Sequence, residues 1–227
     1  MLKVLRPGLA RLLTPVGEAL ARTPLTPNML TVIGAVGVTA GALTLFPTGH
    51  LFVGTVVCTG FVLADMLDGA LARVQGSSGP FGAFLDSTLD RVGDAAIFGG
   101  ISIWLVTGGH QRVLAAVALF CLVVGGLVSY AKARAQSLGL RCDVGIAERT
   151  ERLIIGLIAI GLSGLGVPYV LSAGLWILAV LSAFTFGQRV YAVRKAAVTQ
   201  VTGPAGGPES GAASTGAAAG SSGSAVA

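Results

Sequence analysis

Two pairs of aspartates are the residues of this sequence best placed to do chemistry. Asp65 and Asp68 stand three residues apart and Asp86 and Asp90 four apart, and either spacing sets a pair on one face of a helix. Each pair lies inside an apolar segment, where an unpaired charge is costly and marks a functional site by default. Four carboxylates facing one another repel unless cations lie between them. All-oxygen donors suit hard divalent ions such as Mg²⁺ or Mn²⁺, and two such ions would neutralise the four charges. Gly69 sits beside Asp68. A glycine within a helix costs roughly 1 kcal/mol relative to alanine, so Gly69 implies close approach of a ligand or neighbouring backbone. Ala72 and Gly82 allow the same. Arg73 closes the first half with a guanidinium suited to bidentate phosphate binding.

A second group is basic. Ser129, Lys132 and Arg134 end one apolar segment, Arg152 opens the next, and Arg189 lies near the end of the last. Ser129 and Lys132 can share a helix face. Together these residues form a candidate pocket for a phosphate-bearing substrate. The competing reading is anchorage at an anionic membrane face, which fits Arg141, Arg194 and Lys195 better. Glu148 and Glu151 read as partners of the arginines beside them, and Asp94 as support for Asp90 or a partner of Arg91.

The elements that must position these groups are membrane helices. Of 227 residues, 53% are hydrophobic and 11% charged, which describes a polytopic membrane protein rather than a soluble globule. The net charge of +5 does not point to nucleic acid, because the basic residues cluster between apolar segments. Six spans of about 20 residues are expected near 28–47, 50–74, 82–108, 112–138, 146–164 and 168–192. Gly164, Gly166 and Pro168 divide the last two. Pro24 and Pro27 break the chain before the first span, which Thr26 or Asn28 can cap.

Residues 1–22 carry leucines at helical spacing among Lys3, Arg6, Arg11 and Arg22, the pattern of an amphipathic helix lying on the membrane surface. Residues 203–227 are almost wholly small or polar and read as a disordered tail. The fold class expected is all-α: a six-helix membrane domain over 23–195, preceded by the interfacial helix and followed by the tail. All basic residues but Arg112 fall on one side of these spans, so both termini and the site are expected in the cytoplasm. From His50 to Asp65 is 15 residues, about 22 Å of helix, which puts Asp65 slightly below the cytoplasmic boundary of a core about 30 Å thick. Three cysteines, with no C-x-x-C and no histidine cluster, argue against disulfides and zinc.

The pattern D-x2-D-G-x2-A-R-x8-G-x3-D-x3-D over Asp65–Asp90 resembles the signature of the CDP-alcohol phosphotransferases, membrane enzymes of phospholipid synthesis, at all eight fixed positions. Ser129–Gly139 and Glu148–Leu153, with L-T-P-N-x-x-T at Leu25–Thr31, resemble the actinobacterial phosphatidylinositol-phosphate synthases of that family. The likeness covers about residues 10–195; Thr150 stands where that pattern has proline, and Ser77-Ser78-Gly79 also depart from it. The resemblance implies transfer of the phosphatidyl group of CDP-diacylglycerol to inositol 1-phosphate, with release of CMP, by a homodimer. It implies that Asp65, Asp68 and Asp86 bind two Mg²⁺ (or Mn²⁺) ions, and that Asp90 is both ligand and general base. It assigns Asn28, Thr31, Gly69 and Arg73 to the CDP portion. Glycerol 3-phosphate is the rival acceptor, since it also carries a phosphate. A divalent-cation transporter is the rival of another class, but Leu51–Leu63 and Ala95–Val106 contain no ionisable residue to carry an ion across the membrane.

Overall fold

The computed structural model describes residues 26–75, 79–140 and 142–202, and the side chains of 26–65, 79–140 and 142–198. The interfacial helix expected over 1–22 and the tail over 203–227 lie outside the described residues. Six α-helices account for most of the rest: α1 Pro27–Leu45, α2 Leu51–Gln75, α3 Pro80–Thr107, α4 Arg112–Ser137, α5 Arg149–Gly164 and α6 Val170–Thr202. There is no strand among the described residues.

Local chemistry sets the ends. Thr26 caps α1, its hydroxyl accepting from Met29 N at 3.3 Å, and Pro27 follows in the first turn, where it loses no hydrogen bond. After α5, Gly166 takes φ +86° and Tyr169 φ +61°, turning the chain back into α6. That helix runs to Thr202, past its expected end at 192, because no glycine or proline follows until Gly203.

Each helix packs mainly against two others, and the contacts close a ring in the order α1, α3, α4, α6, α5, α2. Phe46, Ile97, Ile101, Leu105, Ile160, Leu175 and Leu178 fill its interior. Cys58, Cys121 and Cys142 are buried and free. Val36, Val56, Val113, Val123, Val180 and Phe184 face outward, exposed. An apolar exterior around an apolar core suits lipid as the solvent. By length and composition α1, α4 and α6 (over Val170–Val198) can cross a membrane. Within α2 the residues whose side chains are described, Leu51–Asp65, form an apolar stretch, and α5 has 16 residues.

Candidate metal centre and its arginine frame

Asp65 on α2 and Asp86 and Asp90 on α3 converge. One carboxylate oxygen from each lies within 4.8 Å of the other two, and all three side chains are partly buried. Asp86 and Asp90 meet because they are one turn apart on α3; Asp65 reaches them because α1 packs against both α2 and α3 and holds these two helices together at the site. Gly34 of α1 lines a small cavity with Asp65, Asp90 and Arg149. Asp68, Gly69 and Arg73 continue α2, and their side chains lie outside the described residues. The donor set is all oxygen, and three anions so close require a positive partner. These residues therefore fit a hard divalent cation.

The first turn of α1 lies against the same region. A Cβ on Gly82 would stand 3.1 Å from Asn28 Oδ1, so α3 approaches Asn28 closely at a position where only glycine leaves full room. Thr31 is buried, its hydroxyl donating to Pro27 O at 3.0 Å.

The basic residues separate into two sets. Ser129, whose hydroxyl donates to Gly125 O at 3.2 Å, lines a cavity of about 380 Å³ with Ser87, Thr88, Arg91, Asp94 and Tyr130. Lys132 pairs with Asp143 at 3.6 Å, both side chains well exposed. Arg134 is exposed and donates to Ser137 Oγ at 3.4 Å. Arg152 and Arg189 are buried, at 2% and 3% exposure, so neither lies on an open surface. Arg189 donates from Nε to Val144 O at 3.0 Å and from Nη1 to Val128 O, while Thr185 Oγ1 accepts from Ala147 N at 3.0 Å. These bonds clamp the α4–α5 loop onto α6.

Arg149 has a place at the site that its sequence context, a membrane-face cation beside two glutamates, does not show. Its Nη1 meets Asp90 Oδ1 at 2.8 Å and its Nε donates to Asp94 Oδ1 at 3.1 Å. Asp94 is buried and also accepts from Arg152 Nη2 at 3.3 Å. The signal was available: Asp90 and Asp94 are four residues apart and Arg149 and Arg152 three, so two acids and two bases each share a helix face. Glu148 occupies the N-cap position of α5 without a side-chain capping bond, and the bonds just given tie Arg149 and Arg152 to Asp90 and Asp94.

The sequence profile of the CDP-alcohol phosphatidyltransferases matches residues 24–187, which contain the aspartates and all of the basic group except Arg189. The chain belongs to the CDP-alcohol phosphatidyltransferase family. It is 48% identical over 200 residues to the phosphatidylinositol phosphate synthase of Streptomyces avermitilis, covering 85% of this chain and 82% of that one. With the synthase of Mycolicibacterium smegmatis it shares 50% over 192 residues, covering 83% and 86% of the two chains. The crystal structure of the Mycobacterium tuberculosis phosphatidylinositol phosphate synthase with CDP-DAG bound superposes with a TM-score of 0.77 at 47% identity, over 81% of this chain and 94% of that one. A second structure of the same synthase, in complex with manganese and citrate, also gives 0.77 at 47% identity, over 80% and 88%. Membership of this transferase family decides against the cation transporter.

Proposed function

We propose that this transferase moves the phosphatidyl group of CDP-diacylglycerol to inositol 1-phosphate, yielding phosphatidylinositol phosphate and CMP. The observation that carries the proposal is near-50% identity to phosphatidylinositol phosphate synthases over more than four-fifths of both chains. The convergent carboxylates supply chemistry suited to that reaction.

In this reading Asp65, Asp68, Asp86 and Asp90 hold two divalent cations, Mg²⁺ or Mn²⁺. When bound, such ions polarise phosphoryl oxygens and stabilise charge on attacking and leaving oxygens. The protein's own residues do the rest. Asp90 accepts the proton of the acceptor hydroxyl. That oxygen attacks the lipid-side phosphorus, a new O–P bond forms, and the bond from this phosphorus to the bridging oxygen breaks, so that CMP leaves. Asn28, Thr31, Gly69 and Arg73 hold the CDP portion. Ser129, Lys132, Arg134, Arg152 and Arg189 make up the acceptor side: Lys132 is accessible to a phosphate, and Arg189 acts by clamping the loop that delivers α5. Arg149 holds Asp90.

An apolar groove of about 480 Å³ between α2 and α5, lined by Phe52, Val62, Leu63, Leu157 and Ile158, has Arg149 at its edge. It suits the diacylglycerol tails, with the headgroup at the aspartates. All six helices then span the bilayer as one domain over 23–195, with the site and both termini on the cytoplasmic side of the cell membrane. The chain works as a homodimer, with membrane lipid around it.

Substitution at the acceptor side tests the assignment. Lys132→Ala is expected to raise the KM for inositol 1-phosphate about tenfold or more, the loss of one bond to a charged group, while affinity for CDP-diacylglycerol is unchanged. Arg194→Ala, an exposed cation elsewhere on α6, is the control. A wild-type KM for inositol 1-phosphate in Lys132→Ala would remove the phosphate pocket, and a loss confined to glycerol 3-phosphate would change the product. Deleting residues 203–227, which contain no titratable side chain except Glu209, is expected to leave turnover in membranes at the wild-type level. A large fall in correctly inserted protein would give the tail a part in the reaction.

A further inference from the structure

Asp94 lies outside the eight-position aspartate signature, yet it is buried and meets three guanidiniums. It is 6% exposed. Its Oδ1 accepts from Arg149 Nε at 3.1 Å, its Oδ2 from Arg152 Nη2 at 3.3 Å, and Arg91 Nη1 stands 3.9 Å away. Arg149 continues to Asp90 at 2.8 Å. Asp90 and Asp94 thus link the guanidiniums of Arg149 and Arg152 to α3. Arg152 Nη1 is buried and has no hydrogen-bond partner in the protein. Its guanidinium also has no lateral freedom: a Cβ on Gly125 of α4 would lie 3.0 Å from Arg152 Nε and 3.1 Å from Cζ. A buried guanidinium held by Asp94 and packed against Gly125, with one arm unbonded, is arranged to meet an anion.

We infer that Asp94 is a positioning residue for acceptor recognition, setting the guanidinium of Arg152 for the acceptor phosphate and that of Arg149 for the orientation of Asp90. The inference rests on the acceptor reading above, because it makes Arg152 a phosphate ligand. One carboxylate ties α3 to the first turn of α5, so both arginines move if it is lost. A buried carboxylate serving only stability would hold the fold together without affecting one substrate more than the other.

Asp94→Asn, purified and monodisperse in detergent, separates the two roles through kcat and KM measured for each substrate. The expected result is an acceptor KM raised about tenfold or more, a lower kcat, and an unchanged KM for CDP-diacylglycerol. In an Arg152→Ala background the same substitution should add little further to the acceptor KM, since residues acting through one another are non-additive. A folded Asp94→Asn protein with wild-type acceptor KM, or full additivity with Arg152→Ala, overturns the inference. If Asp94→Asn yields no folded protein, Gly125→Ala tests the same point without removing a charge. It presses on Arg152 and should raise the acceptor KM, and an unchanged value overturns the inference. If Asp94→Asn is silent while Arg152→Ala raises the KM, positioning fails and the acceptor pocket stands. If Arg152→Ala is silent with both inositol 1-phosphate and glycerol 3-phosphate, the pocket and the inference fall together.

Discussion

Asp86→Asn is expected to reduce turnover by about three orders of magnitude or more, the equivalent of several kcal/mol of Lewis-acid stabilisation, while the protein still inserts. Asp86 shares its site with Asp65 and Asp90 within 4.8 Å, so one lost oxygen donor weakens the whole cluster's hold on a cation. The amide is nearly the same size as the carboxylate, and packing is little disturbed. Turnover with saturating Mg²⁺, together with Mn²⁺ binding followed by electron paramagnetic resonance, checks the prediction. Full activity in the variant, or in wild type with excess chelator, would sink the metal role.

Asp90→Asn should lower the chemical step by about 10²–10⁴-fold, the range for loss of a positioned general base. An amide oxygen can still accept from Arg149, which sits at 2.8 Å from Asp90 Oδ1, but it cannot take a proton from the acceptor hydroxyl. Affinity for CDP-diacylglycerol should therefore survive. Single-turnover release of CMP, beside equilibrium binding of the lipid nucleotide, separates the two quantities. Near wild-type single-turnover rates with saturating metal would mean that Asp90 is not the base.

Much of this arrangement is legible in the chain before any coordinates. The aspartate spacings put Asp86 and Asp90 on one face of α3, and the structure brings Asp65 to them. Six helices, α1 to α6, form near the six expected segments, since each combines an apolar run with a Gly, Pro or charged boundary, although α6 runs past 192 to Thr202. Among the described residues α1, α4 and α6 are long and apolar enough to cross a membrane. What the sequence conceals is partner choice. Arg149 reads as a membrane-face cation or a partner of the glutamates beside it and Arg152 as a phosphate ligand, and only the closeness of α3 and α5 turns them toward Asp90 and Asp94. Arg189 is similar: near the end of a long apolar helix it reads as a phosphate ligand or an anchor, whereas its bonds go to backbone carbonyls of Val144 and Val128. Charge periodicity identifies a face, but which helix meets that face depends on the packing of the whole ring.

Acceptor choice is tested most directly by labelling inositol 1-phosphate. Purified protein is given CDP-diacylglycerol, Mg²⁺ and radiolabelled inositol 1-phosphate, with unlabelled glycerol 3-phosphate as competitor, and both labelled lipid and CMP are measured. One CMP should be released for each labelled phosphatidylinositol phosphate formed, with little inhibition by equimolar glycerol 3-phosphate. CMP release that follows glycerol 3-phosphate, with no label entering lipid, would contradict transfer to inositol 1-phosphate.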